Sequence, residues 1–141
     1  MKITLIGSVS QSHKFVDTYH QLEKIGHNPY MHEHMFEYAK SSWEAFHNRP
    51  VTEHAETKLA NNYIKWWYNS IVNSDAVLVL NFDKEQRKNH IGGNTLMEMG
   101  FAHVNDKKVF VHNPLPEDSP YLDELQALAT KIIYGDLKKI A

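Results

Sequence analysis

The chain has 141 residues, a formal net charge of −2 and no cysteine. This length fits one domain with its own hydrophobic core, which we place over residues 1–141. The near-neutral charge excludes a strongly basic surface for nucleic acid or an anionic membrane, and the lack of cysteine excludes a disulfide framework and a thiolate nucleophile. No apolar segment approaches the roughly 20 residues of a membrane-spanning helix, and no signal-peptide pattern follows the N-terminus. We therefore expect a cytoplasmic protein.

The N-terminal half alternates between short apolar runs and amphipathic segments. In chain order, the patterns predict a strand at 2–6, a helix at 12–25, a strand at 28–32, a helix within 36–55 that Pro50 ends, and a long helix at 54–74. The first helix carries Phe15, Tyr19 and Leu22 on one stripe. The long helix contains "YIKWWYN", and such aromatic residues indicate a core or an interface between subunits.

The second half continues the alternation. The run "AVLVLNF" at 76–82 is apolar throughout, which is typical of a strand buried on both faces of a parallel sheet. It is followed by a polar loop, a short helix at 95–105, a strand at 108–112, a helix lined by Leu122, Leu125 and Leu128, a strand at 131–135 and a terminal turn. The basic run "KEQRK" at 84–88 is predicted to be a solvent-exposed loop, able to close over a ligand.

Strands that alternate with helices predict a three-layer α/β/α sandwich around a parallel sheet. We expect five strands in the flavodoxin-like or Rossmann-like order 2-1-3-4-5. In such sheets, ligands bind beyond the carboxyl ends of the strands. The residues at those ends are Gly7 and Ser8, then Asn81, Phe82 and Asp83, then His112 and Asn113.

One acid, Glu98, lies within the mostly apolar segment "NTLMEMGFA". One interpretation is a capping box, in which Thr95 is the N-cap of the helix and Glu98 is its third residue. The other is chemical: a carboxylate in the first helical turn is kept ionised by the helix dipole, and it can attack an electron-poor carbon such as a sugar C1′. Both interpretations place Glu98 at a strand–loop–helix junction.

The segment "SDAVLVLNF…IGGNTLMEMGFAHVNDKKVFVHNP" resembles the nucleoside 2-deoxyribosyltransferase superfamily, which includes 2′-deoxynucleoside 5′-monophosphate N-glycosidases. The shared pattern is an Asp before a buried strand, a glycine-containing loop, a Glu-x-Gly-x-Ala helix and a Lys-hydrophobic strand. The opening "ITLIGSVS" is similar to the N-terminal substrate loop of the family. The resemblance extends from about Lys2 to Leu137, and its specific part is 75–113.

The resemblance implies a role for several residues. Glu98 corresponds to the nucleophile, and Asp75 to an acid that helps to place and protonate the base. Gly7 and Ser8 correspond to the loop that touches the sugar or its 5′ substituent, and Asn113 to a sugar contact. The remaining residues of the expected substrate site are Asn81, Asp83, Gly92 and Gly93.

This chain departs from the family in two places. Where transferases often carry an acid shortly before the nucleophile, it has His90, Ile91 and two glycines, so His90 or Asp83 would protonate the base. The monophosphate hydrolases carry an Arg just after Gly-Ser-hydrophobic, whereas this chain has "GSVSQSHK" without an Arg, so either His13 or Lys14 would bind the phosphate or there is no phosphate to bind.

The resemblance implies cleavage of an N-glycosidic bond through a glycosyl-enzyme intermediate, with transfer to another base or to water. It implies a small-molecule nucleoside or nucleotide as partner, no cofactor, and a homodimer or larger homo-oligomer. The alternative function is a non-catalytic domain that binds or senses a nucleotide derivative. A third hypothesis is a metal site on the His32-x-His34 pair, which on a strand would point both rings to one face.

Overall fold

The computed structural model describes the backbone of residues 1–40 and 53–141 and the side chains of residues 1–40 and 61–141. Five strands form one sheet in the order β2-β1-β3-β4-β5, and every neighbouring pair is parallel. The strands are β1 (Lys2–Gly7), β2 (Asn28–Tyr30), β3 (Ala76–Leu80), β4 (Lys108–Val111) and β5 (Lys131–Ile132). The predicted strand order is confirmed.

Five described α-helices connect or flank the strands. They are α1 (Ser12–Lys24), α2 (His34–Lys40), α3 (Glu53–Val72), α4 (Gly93–Val104) and α5 (Leu122–Leu128), with short 3-10 helices at Val9–Gln11 and Leu137–Lys139. The helix predicted within 36–55 corresponds to α2 at its start, and the rest of that prediction, with Pro50, lies outside the described residues. No helix in the described ranges is both long enough and apolar enough to cross a membrane.

The sheet is covered on both faces, which explains why β3 is apolar at every position. Alternate residues of each strand point to opposite faces, so the core divides into two clusters. One contains Leu5, Leu78 and Phe110, and α1 packs on it through Phe15 and Leu22. The other contains Ile6, Val77, Val79, Val109 and Val111, and it receives Ile71 of α3, Met99 and Ala102 of α4, and Leu125 of α5.

Gly7 ends β1 at a position where a side chain does not fit. Its φ is +154°, and an added Cβ would lie 2.9 Å from the carbonyl oxygen of Leu80 and 3.1 Å from a ring carbon of Phe15. Glycine therefore lets the end of β1 approach β3 and α1 closely. Two neighbouring strands are thus brought together at the place where their loops begin.

We predict that Gly7→Ala lowers the free energy of unfolding by about 1–3 kcal/mol, because the new methyl group meets backbone and an aromatic ring that cannot both move away. Urea denaturation monitored by circular dichroism measures this. Gly100→Ala is the control, because no described atom lies within 4 Å of its added Cβ. Equal midpoints for Gly7→Ala and the unmodified chain would show that the approach is not tight.

Candidate active site

The strand order places a topological switch point between β1 and β3. β2 lies on one side of β1 and β3 lies on the other, so the connections leave the sheet in opposite directions and open a crevice at the carboxyl edge. Gly7 and Ser8 form one wall of this crevice, and the residues after β3 form the other. Most of the residues that the sequence indicates as a site lie at this edge.

Asn81 and Asn113 fix the ends of β3 and β4 to each other. Asn81 is fully buried, and its side-chain amide donates to the carbonyl oxygens of Asn113 and Pro114, both at 3.0 Å. Its Oδ1 accepts from the Asn113 N–H at 2.9 Å, and the Asn113 side chain donates back to the Asn81 carbonyl at 3.0 Å. The polar groups of Asn81 are used within the fold, so we assign it to support of the edge and not to substrate contact.

Glu98 lies on the face of α4 that packs against the sheet. Its neighbours on that face are Thr95, Met99 and Ala102, all of them buried. Glu98 itself is only 6% exposed. The carboxyl group therefore lies between helix and sheet.

The predicted capping box is wrong. The N-cap of α4 is Gly92, the helix begins at Gly93, and the Leu96 N–H donates to the Gly92 carbonyl at 3.0 Å. Thr95 is therefore a buried residue within the first turn, and Glu98 belongs to the second turn. The N-cap makes no side-chain hydrogen bond to the first turn, because Gly92 has no side chain.

Burial raises the pKa of the Glu98 carboxyl to about 8, well above its ordinary value. Burial is the whole cause, since no hydrogen bond or charged group in the described part of the chain acts on it. A low-dielectric environment disfavours the charged form of a carboxyl group. This corrects the expectation that the helix dipole keeps Glu98 ionised: in the ligand-free protein it is mostly protonated at neutral pH.

A cleft of about 520 Å³ lies beside the N-terminus of α4. It separates the loop before α4 from the loop before α5. Its described lining consists of Arg87, Lys88, His90, Ile91, Gly92, Gly93, Pro116, Asp118, Ser119, Pro120 and Tyr121. Three of the predicted site residues, His90 and the two glycines, are therefore brought together here, next to the helix that carries Glu98.

The environment of His90 is electropositive. Its pKa lies below the ordinary value of 6.5, first because of burial and then because of Lys84 and Arg87, with Glu85 opposing them. His90 is thus mostly neutral at neutral pH. A positive potential around the cleft favours an anionic ligand or an anionic part of one.

Asp83 and Ser8 lie on opposite sides of the crevice, and each takes part in its closure. Asp83 Oδ1 accepts from the Asn89 N–H at 2.9 Å, and its carbonyl accepts from Gln11 Nε2 at 3.2 Å. Ser8 Oγ accepts from Lys84 Nζ at 3.4 Å. The loops after β1 and β3 therefore touch across the switch point.

Asp75 lies at the other edge of the sheet. It precedes β3, its Oδ2 accepts from the Lys2 N–H at 2.7 Å, and its own N–H donates to the Lys2 carbonyl at 2.8 Å. A residue that comes before a parallel strand lies at the amino edge, and the five residues of β3 span roughly 16 Å. The structure therefore does not bring Asp75 to the crevice, and its expected role in protonating the base has no geometric support.

The His32-x-His34 pair is not on a strand. β2 ends at Tyr30 and His34 opens α2, so strand alternation does not orient the rings. The His34 N–H donates to His32 Nδ1 at 3.1 Å, and His34 Nδ1 is hydrogen-bonded to the Tyr63 hydroxyl. No group of three possible metal ligands occurs among the described residues. The pair belongs to an aromatic cluster with Trp66, which contacts His32 at a ring-centroid distance of 4.7 Å.

Several contacts of the site come from loops whose sequences do not specify them. The run 84–88 is predicted to be a solvent-exposed loop able to close over a ligand, and in the structure Lys84 reaches Ser8 while both Arg87 and Lys88 line the cleft. The available signal was three cations and one acid in five residues, directly after a buried strand. The contact of Gln11 with Asp83 had no signal, because it joins two exposed loops that are far apart in the chain.

Comparison with known proteins shows a likeness in structure. Neither a family model nor a curated protein matches the sequence. The structure is similar to that of the CMP N-glycosidase BcmB from Clostridium botulinum, with a TM-score of 0.51 and 17% sequence identity over 98% of this chain and 92% of that one. At this identity the likeness shows a shared Rossmann-like fold, and the activity has to be argued from the site.

We predict that Glu98→Gln stabilises the protein increasingly between about pH 4.5 and pH 8. The folded state holds the Glu98 proton up to about pH 8, whereas the unfolded chain releases it near its ordinary value of 4.5. The wild-type protein therefore loses stability as pH rises through this window, by up to roughly 1.4 kcal/mol for each pH unit. Glutamine has no proton to release and avoids that loss.

Urea midpoints of both proteins at pH 5 and pH 8.5 measure the effect, and Glu117→Gln, an exposed acid, controls for the change in net charge. A difference between Glu98→Gln and wild type that stays constant with pH would mean that the carboxyl is not desolvated.

Proposed function

We propose that this protein cleaves the N-glycosidic bond of a nucleotide or nucleoside, with Glu98 as the nucleophile. The observation that carries the proposal is a carboxyl group buried without a hydrogen-bond partner among the described residues, on the helix that follows β3 at the switch point. Such a group destabilises the fold, and buried groups with strongly shifted pKa values concentrate at functional sites. The likeness in fold to a CMP N-glycosidase agrees with this choice of chemistry.

The reaction has two steps and retains configuration at the sugar. A Glu98 carboxylate oxygen attacks C1′, while the bond from C1′ to the base nitrogen breaks and its electron pair leaves with the base. The departing base takes up a proton. Water, or a second base, then attacks C1′ on the same side that the first base left and gives a proton to the group that protonated the first base, while the bond from C1′ to the Glu98 oxygen breaks and the carboxylate is restored. We favour water as the acceptor, because BcmB is an N-glycosidase.

Burial gives the carboxylate a larger effect on the transition state. Positive charge develops on the sugar as the base departs, and an ionised Glu98 in a low-dielectric site stabilises that charge more strongly than it would in water. The cost of ionising Glu98 in the free protein is partly recovered when the positive charge appears. The interaction is therefore stronger in the transition state than in the ground state, which is what accelerates a reaction.

His90 is the best-placed donor of the proton. It lines the cleft beside the first turn of α4, whereas Asp75 lies at the opposite edge and Asp83 already accepts from Asn89. The reactive form is an ionised Glu98 with a protonated His90. It is a minor form with the same total number of protons as the dominant form, in which Glu98 is protonated and His90 is neutral.

The cleft favours a nucleotide over a nucleoside. Arg87 and Lys88 contribute two cations, and the N–H groups of the first turn of α4 face the same side without a capping side chain. The N-terminus of a helix and nearby basic side chains are a common arrangement for binding phosphate. These residues take the place of the Arg that the related monophosphate hydrolases carry in the first loop. The expected homo-oligomer and cytoplasmic location stay predictions.

We predict that the protein releases free base from a panel of nucleosides and their 5′-monophosphates, with a preference for the monophosphates. Chromatography of the products measures it. Glu98→Gln should abolish release, at least about 1,000-fold, because it removes the nucleophile but keeps shape and folding.

Arg87→Ala with Lys88→Ala should reduce the preference for monophosphates and leave release from nucleosides in place. Full activity of Glu98→Gln would rule out the nucleophile. Saturable binding of nucleotides without any release of base would favour a sensor.

We predict a bell-shaped dependence of kcat/KM on pH, with a rise below 6.5 as His90 loses its proton and a fall near 8 as Glu98 does. The assignment of the two limbs is tested with His90→Gln. If His90 supplies the proton, this variant is slower and its rate follows ionised Glu98 alone, so it keeps rising through pH 8. A fall above pH 8 that persists in His90→Gln would assign the proton to another group.

A further inference from the structure

Little of Glu98 is open to solvent in this conformation. It is 6% exposed, and the cleft next to it reaches Gly92 and Gly93 without including Glu98 in its lining. A sugar C1′ has to come within bonding distance of the carboxylate for the proposed reaction. We therefore expect a part of the described wall to move when the substrate binds.

One wall of the crevice is the segment 83–91, which we call the lid loop. It is a compact unit: Lys84 and Arg87 exchange backbone hydrogen bonds at 2.9 Å, and Asp83 Oδ1 accepts from the Asn89 N–H. Glu85 and Asn89 adopt positive φ values of 56° and 53°, which preserve its tight turns. Its internal bonds allow it to move as one piece.

Two side-chain hydrogen bonds fasten the lid loop across the crevice. They run from Gln11 Nε2 to the Asp83 carbonyl and from Lys84 Nζ to Ser8 Oγ. Both involve partly exposed groups, so water can replace them when the loop lifts. We call these two contacts the latch.

At the other end of the lid loop, Ile91 is buried among apolar residues of the sheet and α4, Met99 among them. Ile91 thus fills space on the same side of the sheet as Glu98. If the loop lifts far enough to withdraw Ile91, the space beside the second turn of α4 opens.

The glycine pair after Ile91 fits a hinge. Gly92 has an ordinary extended conformation, with φ −84° and ψ 176°, and Gly93 is helical. A Cβ on Gly93 would meet no described atom within 4 Å, and one on Gly92 would meet only the His90 ring at 3.4 Å. Neither the backbone nor the packing therefore requires glycine in the closed state, whereas a moving segment needs backbone freedom at its end.

From these contacts we infer that residues 83–91 are a lid that opens about Phe82 and the Gly92–Gly93 pair, withdraws Ile91 and gives the substrate access to Glu98. The inference rests on the proposed role of Glu98 for its purpose. The movement itself does not depend on any reaction. It can therefore be tested without turnover.

Carbodiimide coupling to an amine, read at Glu98 by peptide mass spectrometry, measures access to the carboxyl directly. The variant Gln11→Ala with Lys84→Met removes the latch but keeps most of the Lys84 stem, and labelling should be roughly tenfold faster than in wild type. Gly92→Ala with Gly93→Ala should slow labelling, because the hinge is stiffer. Lys24→Met at the far end of α1 controls for charge, and Gly100→Ala controls for a glycine replaced within the same helix.

Hydrogen exchange on the same proteins separates lid opening from global unfolding. In the latch variant, the His90 amide, which donates to the Phe82 carbonyl outside the lid loop, should exchange faster while the amides of β3 stay unchanged. Three results would overturn the lid. They are labelling of the latch variant at the wild-type rate, an increase in labelling rate that the Lys24→Met control also shows, and an increase that only parallels faster hydrogen exchange in β3. Labelling that responds to the latch in a protein without base release would leave the lid standing and reject the proposed function.

Discussion

The burial of one carboxyl group without a partner is the constraint on which the rest of the site depends. Glu98 lies between α4 and the sheet among Thr95, Met99 and Ala102, and the described part of the chain offers it neither a hydrogen bond nor a cation. An apolar residue of the same size would pack there without the desolvation cost. Within this face of the core, Glu98 is the one ionisable residue that is buried in α4, and stability alone does not explain it.

The surrounding structure divides into a rigid frame and a loosely held cover. The frame is the carboxyl edge of the sheet, where Gly7 allows β1 to approach Leu80 and the paired side chains of Asn81 and Asn113 join β3 to β4. The cover is the lid loop after β3, which is joined to the other side of the crevice by the hydrogen bonds of Gln11 and Lys84. A reacting group needs accurate placement, which the frame supplies, and an entrance, which only the cover can provide.

The order of the strands could be predicted from the sequence because the buried strands are short runs of apolar residues, and amphipathic helices separate one run from the next. The carboxyl edge could also be predicted, since it consists of the residues that follow each strand. The same rule, applied consistently, would have placed Asp75 at the amino edge, because it precedes β3. The role that the family pattern implies for Asp75 therefore conflicts with its position before the strand.

The errors around Glu98 have a different cause. Thr95 resembles an N-cap, but a helix can begin at Gly92 and Gly93 without a capping side chain, so the N-cap was placed three residues late. The sign of the pKa shift was wrong because the helix dipole acts from the first turn, while burial acts on the whole carboxyl. The latch contacts were out of reach, since they depend on where two distant loops meet.

A carboxyl group with a pKa near 8 is mostly protonated at neutral pH and is therefore a poor nucleophile, yet the same burial strengthens the effect of its ionised form on the transition state. The smaller ionised fraction of Glu98 lowers the reaction rate by a factor that is fixed by the difference between pH and pKa. The stabilisation of the transition state grows with the positive charge on the sugar, because an ion pair without water between its members is stronger than one in solvent. A lid that excludes water when it closes increases that gain, and opening is needed only to admit the substrate and release the products. The buried acid and the moving loop therefore depend on each other. Without the loop the burial of Glu98 is unfavourable, and without Glu98 the movement of the loop has no function.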